Sequence, residues 1–443
     1  MRDIWRNMTA ADLGREIGAG RIDPVELTEA FLAAIQASGE APRIYARTTP
    51  GRALAEARSA ALRAREGTRR GPLDGVPVSW KDLFDTAGVA TEAGSAMLEG
   101  RTPARDAAVV RNAARAGLVC LGKTHMSELA FSGLGVNPVT ETAPNINGPD
   151  LAPGGSSSGA AASVAFGLAA AGIGSDTGGS VRIPSAWNNL VGLKTTSGLL
   201  SREGVVPLVE SLDTVGPLCR SVEDAALLLG ALSGREAPDL GAASLAGKRL
   251  LVCDTVVLDD LEDAVADEFD RVLRAISRSG AAIAHRAIPE IPDILALSGP
   301  IMTVESYDQW REVIEAQPEK MFTQILERFR AGRDFSGLDY MRAFKTMRKL
   351  RRSYAARVAG FDAVVMPATP IGPPSVPRLL SDHDYYRRIN LVALRNTRIG
   401  NLLGLCGLTV PTGVPACGFL LQCLPFTEAA MLRTGAAIEA AIS

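Results

Sequence analysis

The sequence predicts an α/β fold built on a largely parallel β-sheet. Two patterns carry this prediction: short apolar segments typical of buried strands, and segments of helical spacing that alternate with them. Parallel strands need a long crossover between them, usually a helix, so this alternation is typical of a parallel sheet. The chain has 443 residues, of which 47% are hydrophobic and 22% charged, so it has enough apolar material for a sizeable core.

The N-terminal part of the chain predicts helices. Residues 9–37 show helical spacing twice, with a break at Gly18–Asp23. Thr9 is placed to cap the first helix, and Pro24 stands where the second begins, since proline is favoured in a first helical turn. A further helix rich in alanine and arginine is predicted over 51–66. We expect these helices to pack around the core or at a subunit contact.

A strand with a charged residue at its end is predicted beyond Pro72. There a turn leads into a short apolar segment that ends at Lys81. Residues 107–116 predict a helix, and Gly117–Gly122 (GLVCLG) predict a fully buried strand. These segments are the clearest example of the strand–helix alternation.

The most informative stretch contains two turns of glycine and serine joined by small residues. The first turn is Gly154–Gly159 (GGSSSG), the second is Ser175–Ser180 (SDTGGS), and Ala160–Ala171 between them predicts a buried helix. Glycine lets main-chain N–H groups approach a ligand closely, and successive free N–H groups form an anion-binding concavity. When it faces a reacting carbonyl, such a concavity is an oxyanion hole. The alternative is that the two turns are ordinary surface loops. The buried helix predicted between them makes that interpretation weaker.

The second half of the chain continues the alternation of helices and strands. A helix is predicted at Ser221–Leu232, a strand at Ala246–Cys253 and a helix at Leu261–Ser277. The segment from about 296 to 359 is helical and charged, and we expect it to cover the site and help set specificity. Asp362–Pro367 predicts another strand.

Composition excludes several classes of function. A net charge of −2 and a pI of about 6.1 give no reason to expect a nucleic acid or an anionic membrane as partner. No segment reaches the roughly 18 apolar residues of a membrane-spanning helix, and the start lacks the apolar stretch of a signal peptide. The six cysteines form no C-x-x-C pair, and none of the three histidines lies near one at metal-ligand spacing. We therefore expect no metal, no cofactor and reduced thiols in a cytoplasmic protein.

The glycine–serine stretch resembles the amidase signature hydrolases. Gly154–Ser158, Ser175–Pro184 and Gly192–Lys194 match that signature in order and spacing, and the resemblance covers nearly the whole chain, most weakly from about 235 to 360. It implies a single large domain with a twisted, largely parallel mixed sheet covered by helices on both faces. The expected regions of this domain, 1–443, are an N-terminal helical region (1–70), a catalytic core (72–235), a variable, mostly helical cover (236–360) and a C-terminal return to the core (361–443).

The resemblance implies a Ser–cis-Ser–Lys catalytic set. By matching position, Ser180 is the nucleophile, Ser156 the bridging serine after a cis peptide at Gly155–Ser156, and Lys81 the base. A serine hydroxyl is a weak nucleophile until a base removes its proton, and a lysine can be that base only when burial keeps it neutral. A surface ion pair with Asp82 is the ordinary alternative for Lys81. His125, His285 and His383 all lie outside the signature.

Further site residues follow from the same match. The main-chain N–H groups expected to hold the oxyanion are those of Thr177, Gly178, Gly179 and Ser180. Ser132, in a neighbouring segment that also resembles the family, is a candidate substrate-binding residue. Asp176 and Arg182 flank the nucleophile and are expected to form an ion pair that orients its loop. Ser157 is a candidate for a hydrogen bond near Lys81.

Two residues are candidates for specificity. Arg398 stands where many relatives have a small or apolar residue, so a place in the pocket would let it pair with a carboxylate or a polar acyl group. An outward-facing, solvated arginine is the default interpretation. Tyr307, in the variable helical region, is a weaker pocket candidate.

The implied reaction is hydrolysis of a linear carboxamide through a seryl acyl-enzyme. The expected partner is a small-molecule amide substrate, and the family also suggests a homodimer. Within the family, the alternative is the glutaminase subunit of a tRNA-dependent amidotransferase; that subgroup usually has Arg-Gln-Pro where this chain has Arg182–Pro184 (RIP), which favours a free-standing amidase. A Ser-His-Asp esterase with Ser157 in its G-x-S-x-G motif is a remote alternative, because 147–153 does not predict the strand that this motif requires. No GK[ST] follows the glycines, which excludes a P-loop.

Overall fold

One mixed β-sheet of eleven strands organises the computed structural model, which describes residues 2–442. The strands are β1 (Tyr45–Thr48), β2 (Pro77–Lys81), β3 (Val119–Thr124), β4 (Ala171–Asp176), β5 (Val191–Lys194), β6 (Thr214–Cys219), β7 (Arg249–Cys253), β8 (Ala282–Arg286), β9 (Ala363–Pro367), β10 (Cys406–Pro411) and β11 (Gly418–Cys423). Their order across the sheet is β1-β3-β2-β4-β6-β5-β10-β11-β9-β7-β8.

The sheet is mixed, as predicted, but parallel pairs do not dominate it. Within residues 2–442, strands β3-β2-β4 and β9-β7-β8 pair in parallel, and the six other pairings are antiparallel. The expectation of a largely parallel sheet is thus wrong for its middle. The physical reason is clearest at β10 and β11, where the short loop at 412–417 leaves no room for a crossover and makes a hairpin.

Helices flank the sheet, as predicted. They are α1 (Arg2–Trp5), α2 (Ala10–Gly18), α3 (Pro24–Ala37), α4 (Ala41–Ile44), α5 (Pro50–Arg65), α6 (Ala108–Arg115), α7 (Ser158–Ala165), α8 (Arg182–Trp187), α9 (Val222–Ser233), α10 (Asp263–Arg278), α11 (Glu290–Ala296), α12 (Val304–Ala316), α13 (Thr323–Arg330), α14 (Gly337–Val358), α15 (Val376–Ser381), α16 (His383–Ala393), α17 (Arg395–Leu402) and α18 (Glu428–Ile442). A turn of π-helix, Gly299–Thr303, precedes α12. In the part of the chain described, no helix is long and apolar enough to cross a membrane.

The N-terminal helices begin where the capping residues predict. The Asp12 N–H donates to Thr9 Oγ1 at 3.0 Å, so Thr9 caps α2. Asp23 caps α3 by accepting from the Val25 N–H at 2.7 Å, with Pro24 in the first turn. The six cysteines are buried and free, as expected.

The predicted helix at Ala160–Ala171 is wrong in its second half. Helix α7 ends at Ala165, the chain reverses through Gly167 at φ +66°, and Ala171 already belongs to β4. Alanine fits a buried strand as well as a helix, so only the glycine marks the boundary. The first half is buried as predicted, and it packs against β4 so closely that a Cβ on Gly172 would lie 2.6 Å from Ala160 O.

Candidate active site

The centre of the site is the fully buried amine of Lys81, at the end of β2. Its Nζ donates hydrogen bonds to Ser156 Oγ (2.7 Å) and to Ser175 Oγ (2.8 Å). Strand β2 lies between β3 and β4 and runs parallel to both, so Lys81 and the Ser175–Asp176 end of β4 reach the same edge of the sheet. The fold thereby joins the lysine and both glycine–serine turns.

Among residues 2–442, no carboxylate contacts the Lys81 amine. Burial lowers the pKa of Lys81 to about 7, against a smaller opposite effect of Asp176 and Asp213, because a charged amine loses its hydration there. The alternative of a surface ion pair with Asp82 is wrong, since Asp82 is buried and pairs with Arg47 (2.6 Å) and Lys123 (3.1 Å) instead. The electrostatics therefore suit an amine that is neutral near pH 7.

Ser156 is held by its main chain. The Gly155–Ser156 peptide is cis, the Gly155 N–H donates to Gly133 O (2.8 Å), and Ser156 O accepts from the Ser127 N–H (3.2 Å). A Cβ on Gly155 would lie 2.6 Å from Ser127 Oγ, so only glycine fits before the serine. These contacts fix the hydroxyl that meets Lys81.

Ser180 lies just before α8 and next to the first turn. Its carbonyl accepts from the Ser157 N–H at 3.2 Å, and its side chain is nearly buried, with the whole residue 4% exposed. Within residues 2–442 its hydroxyl makes no hydrogen bond. The turn that holds Ser156 and the turn that holds Ser180 are thus tied together by their main chains.

Asp176 and Arg182 form a fully buried ion pair with two contacts. Arg182 Nη2 donates to Asp176 Oδ1 (2.9 Å) and Nε donates to Oδ2 (3.0 Å), while Asn401 Nδ2 adds a third bond to Oδ1 (3.0 Å). Burial alone would raise the pKa of Asp176, but the charge and hydrogen bonds of Arg182, together with the Lys194 charge and the Asn401 hydrogen bond, outweigh it and hold the pKa well below its usual value. This ion pair, which the sequence predicts, joins Ser175–Ser180 to the start of α8. Ser175–Ser180 ends in the predicted nucleophile and is called the nucleophile turn below.

The carboxylate of Asp176 also determines which N–H groups of the turn are free. The Gly179 N–H, one of the predicted oxyanion donors, donates to Asp176 Oδ1 at 2.8 Å, and the Val181 N–H donates to Oδ2 at 3.1 Å. In the described residues, no partner is found for the N–H groups of Thr177, Gly178 and Ser180. Of the four predicted donors in this turn, these three therefore remain available to a ligand.

Four buried residues support the turns and were not singled out from the sequence. Ser175 Oγ accepts from Lys81, Asp213 Oδ1 accepts from Thr177 Oγ1 (2.6 Å), Thr397 Oγ1 donates to Gly178 O (2.8 Å), and Asn401 joins the Asp176–Arg182 pair. Ser175 lies within the matched signature, and Thr397 and Asn401 flank Arg398. Their positions were visible in the sequence, but their partners were not, because those partners lie up to 225 residues away.

Ser157 makes a hydrogen bond near Lys81 but not to it. Its Oγ donates to the carbonyl of Ser175 at 3.2 Å, and the Ser175 hydroxyl accepts from Lys81, so Ser157 acts on the lysine only through Ser175. Ser132 is also buried, and its hydroxyl accepts from Tyr386 OH (2.7 Å) and donates to Asn390 Oδ1 (3.3 Å). Both serines lie close to the predicted catalytic residues in supporting positions.

A cavity of about 810 Å³ opens beside the nucleophile turn. Its wall includes Phe131, Met302, Arg328, Tyr386, Asn390 and Arg398. Met302 belongs to the π-helical turn, and its Cε would lie 3.4 Å from a Cβ on Gly178, so this wall residue separates the cavity from Gly178. A larger groove of about 1020 Å³ elsewhere is lined by none of the predicted site residues.

The two specificity candidates differ in the structure. Arg398 is half-buried and lines the cavity, against the default interpretation of a solvated side chain. Tyr307 does not line it: its hydroxyl accepts from Arg333 Nε (2.7 Å) and donates to Glu315 (3.3 Å), and its ring lies under the Arg333 guanidinium. These polar partners on α12 and the following turns hold the tyrosine away from the cavity.

Comparison with known proteins identifies the family. The family model "Amidase" matches residues 26–421. The chain belongs to the amidase family. This amidase is 34% identical to the A subunit of the glutamyl-tRNA(Gln) amidotransferase from Anaeromyxobacter sp. (strain K), covering 96% of this chain and 95% of that protein. It is also 34% identical to the 2-amino-5-chloromuconic acid deaminase of Comamonas testosteroni, covering 98% and 97%.

Solved structures agree with this assignment. The native peptide amidase from Stenotrophomonas maltophilia superposes with a TM-score of 0.84 at 28% identity, covering 98% of this chain and 97% of that one. The amidase is therefore an enzyme that acts on carbon–nitrogen amide bonds, and the predicted α/β fold with a large mixed sheet is confirmed.

Proposed function

We propose that this amidase hydrolyses linear carboxamides through an acyl-enzyme on Ser180, with Ser156 as proton relay and Lys81 as base. The observation that carries the proposal is the buried Lys81 amine, 2.7 Å from Ser156 Oγ and with a pKa lowered to about 7. A base whose pKa lies near the working pH combines a large unprotonated fraction with good proton affinity.

In the first half-reaction, unprotonated Lys81 takes the proton of Ser156, and Ser156 takes the proton of Ser180 as Oγ attacks the amide carbonyl. The relay then runs in the opposite direction. Ser156 gives its proton to the departing nitrogen, the C–N bond breaks, and ammonia or an amine leaves the acyl-enzyme. Water attacks the ester with the same relay as its base and releases the carboxylic acid.

The negative charge that develops on the carbonyl oxygen needs fixed donors. We assign this role first to the main-chain N–H groups of Thr177, Gly178 and Ser180, which have no other partner in the described chain. Loss of one such donor typically lowers kcat by about 10²–10³. The Gly179 N–H would have to leave Asp176 to contribute, so we place it with Asp176 and Arg182 in positioning the turn.

A second candidate function is that of the glutaminase subunit in a tRNA-dependent amidotransferase, and the 34% identity to such a protein favours it. The same catalytic set would serve there on glutamine, beside a partner protein. We favour a free-standing enzyme because Arg182–Pro184 departs from the usual sequence of that subgroup. The six buried, free thiols support a cytoplasmic location.

The test is ammonia release by the purified protein alone against a panel of small amides that includes glutamine. We expect release from simple amides, its loss in Ser180→Ala, and its retention in Ser163→Ala, a buried serine that contacts Ser79 and Ala160 O instead of the site. Hydroxylamine added to the assay should divert the acyl group to a hydroxamate, since an acyl-enzyme accepts other nucleophiles. Activity that survives in Ser180→Ala would exclude this mechanism, and glutaminase activity only with a partner protein would favour the second candidate.

A further inference from the structure

The cavity beside the nucleophile turn carries an excess of positive charge. Its charged lining residues are Glu327, Arg328, Arg330, Arg333, Asp334, Arg387 and Arg398. Both acids and Arg387 are exposed, and Glu327 already lies 3.1 Å from His383 Nε2. Arg330 and Arg333 both pair with Glu315, which is not part of the lining. The two remaining arginines are half-buried and have no acidic partner within residues 2–442.

Arg398 is the first of these two. Its Nη1 donates to Ser298 Oγ (3.2 Å) and its Nη2 to Leu391 O (3.3 Å), while its Nε is buried and, among the described residues, has no hydrogen-bond partner. A buried donor without a partner destabilises the free protein, and a ligand oxygen would satisfy it. Thr397, the preceding residue, donates to Gly178 O, which fixes this part of α17 against the nucleophile turn.

Arg328 is the second. Its guanidinium carbon lies 4.5 Å from the centre of the Phe131 ring, and in the described chain it makes no hydrogen bond or ion pair. Burial lowers the pKa of Arg328 to about 10, and burial together with the charge of Arg328 lowers the pKa of Arg398 to about 10. The two cations thus repel each other across the cavity.

We propose, on the basis of the function proposed above, that Arg328 and Arg398 bind a carboxylate of the substrate, so that this amidase acts on amides that carry a second, anionic group. A planar guanidinium presents paired N–H donors that match the two oxygens of a carboxylate. An anion between the two arginines satisfies the free Nε of Arg398 and removes the repulsion between the two charges.

The rest of the lining indicates the shape of such a substrate. Phe131, Leu295 and Met302 give the wall an apolar part, and the Met302 side chain lies next to Gly178. Apolar walls with a few placed polar groups are typical of small-molecule sites, and here they favour a short hydrocarbon chain between the carboxylate and the amide. A monoamide of a small dicarboxylic acid has this form.

Paired substrates test the proposal with the intact enzyme. The monoamides of succinic, glutaric and adipic acid are compared with neutral amides of equal length, butanamide, pentanamide and hexanamide. N-butanoylglycine, which carries its carboxylate on the amine side, separates the two possible sources of the anion. We expect one anionic amide to exceed its neutral counterpart by at least roughly 30-fold in kcat/KM, the size of a lost buried charge pair. Equal kcat/KM values within every pair would overturn the proposal.

Variants assign the effect to the arginines. Arg398→Gln and Arg328→Gln should lower kcat/KM for the anionic amide by about the same factor and leave the neutral amide unchanged, with Arg398→Lys recovering part of the loss. Arg333→Gln is the matched control, because Arg333 lines the same cavity but pairs with Glu315, and it should change neither substrate. An equal loss on both substrates would show a structural role for the arginines and contradict the proposal.

Binding separates this inference from the catalytic proposal. Titration of Ser180→Ala with glutarate, succinate and adipate in a calorimeter should show binding of one diacid, which is lost when Arg398→Gln is added. This readout needs no turnover. If Ser180→Ala binds a diacid but still hydrolyses amides fully, the triad is refuted and the subsite stands. If the triad is needed for activity but no diacid binds and anionic amides are not preferred, the subsite alone is refuted.

Discussion

Buried charge has different surroundings at the strand edge around Lys81 and in the cavity lining that contains Arg328 and Arg398. At the strand edge, Asp176 has Arg182 and Asn401, and Asp82 has Lys123. In the cavity lining, these two half-buried arginines have no acidic partner among the described residues. A buried charge that is paired within the protein holds its neighbours in a fixed geometry, whereas a charge without a partner can bind a ligand. In the roles proposed above, the strand edge carries the reaction and the cavity lining carries the choice of substrate.

Lys81 and Lys123 sharpen this contrast within the strand edge itself. They lie on adjacent parallel strands, both with side chains fully buried, and burial lowers the pKa of each. Lys123 keeps its charge partner Asp82 at 3.1 Å, while the recorded partners of Lys81 are serine hydroxyls. The two lysines are equally buried, so the carboxylate partner is what distinguishes the structural Lys123 from the candidate base Lys81.

The largest effect is expected for Lys81→Met. Loss of the base should lower kcat by roughly 10²–10⁴, while the free energy of unfolding in urea stays the same or rises, because a buried amine is replaced by an apolar side chain of similar length. Lys123→Met is the matched control and should lose stability instead, since it leaves Asp82 with one cation fewer. Full activity in Lys81→Met would end the assignment of Lys81 as base.

Arg182→Met is expected to have the largest effect on stability. It leaves the Asp176 carboxylate fully buried without its cation, which typically costs about 3–5 kcal/mol. Arg330→Met, which breaks the half-buried pair with Glu315 in the cover, should cost about 1 kcal/mol or less. Urea unfolding of both variants measures the difference, and equal losses would contradict the contrast between the two regions.

The pH dependence should follow Lys81. Because its folded pKa of about 7 lies below the ordinary value of 10.5, kcat/KM should rise with pH, reach half its maximum near pH 7 and level off about one unit higher, with about tenfold less activity one unit below the pKa. Between pH 7 and 10.5 the unfolded chain binds the proton that the folded chain lacks, so this residue makes stability increase with pH over that window. A flat activity profile from about pH 5 to 8 would count against a titrating lysine.

The smallest effect is expected for Thr397→Val, which tests the contact between the two regions. The variant removes the hydrogen bond to Gly178 O and should cost about 1 kcal/mol of stability and about fivefold in kcat, with KM little changed. Thr434→Val is a control, because Thr434 is a buried threonine whose hydroxyl donates to a carbonyl within α18. A change in KM alone would show that Thr397 contacts substrate.

Local patterns predicted most elements, and the resemblance to the amidase signature predicted the residues of the candidate site. Thr9, Asp23 and Pro24 mark helix starts because capping acts over three residues, and the signature turns contain Ser156 and Ser180 within 25 positions of each other. The resemblance connected these serines with Lys81, and in the structure the Lys81 amine donates a hydrogen bond to Ser156 Oγ.

What the sequence did not predict depends on long-range pairing. The order of strands decides which pairs are antiparallel, and no local pattern records it. Ser175, Asp213 and Thr397 acquire their roles only from partners brought together by the sheet. The same holds for Arg398, whose surroundings are built by several helices and a turn, and for the end of α7, where alanine suits both helix and strand.

The close packing of α7 on β4 has a consequence for protein engineering. A Cβ on Gly172 would meet Ala160 O at 2.6 Å, and one on Gly174 would meet Ser157 Oγ at the same distance, so this layer accepts no larger side chain without moving the catalytic turn. Random libraries in that layer will return mostly inactive clones. Under the proposed roles, variation meant to change which amide is accepted belongs in the helices that line the cavity, among them α11, α13 and α16.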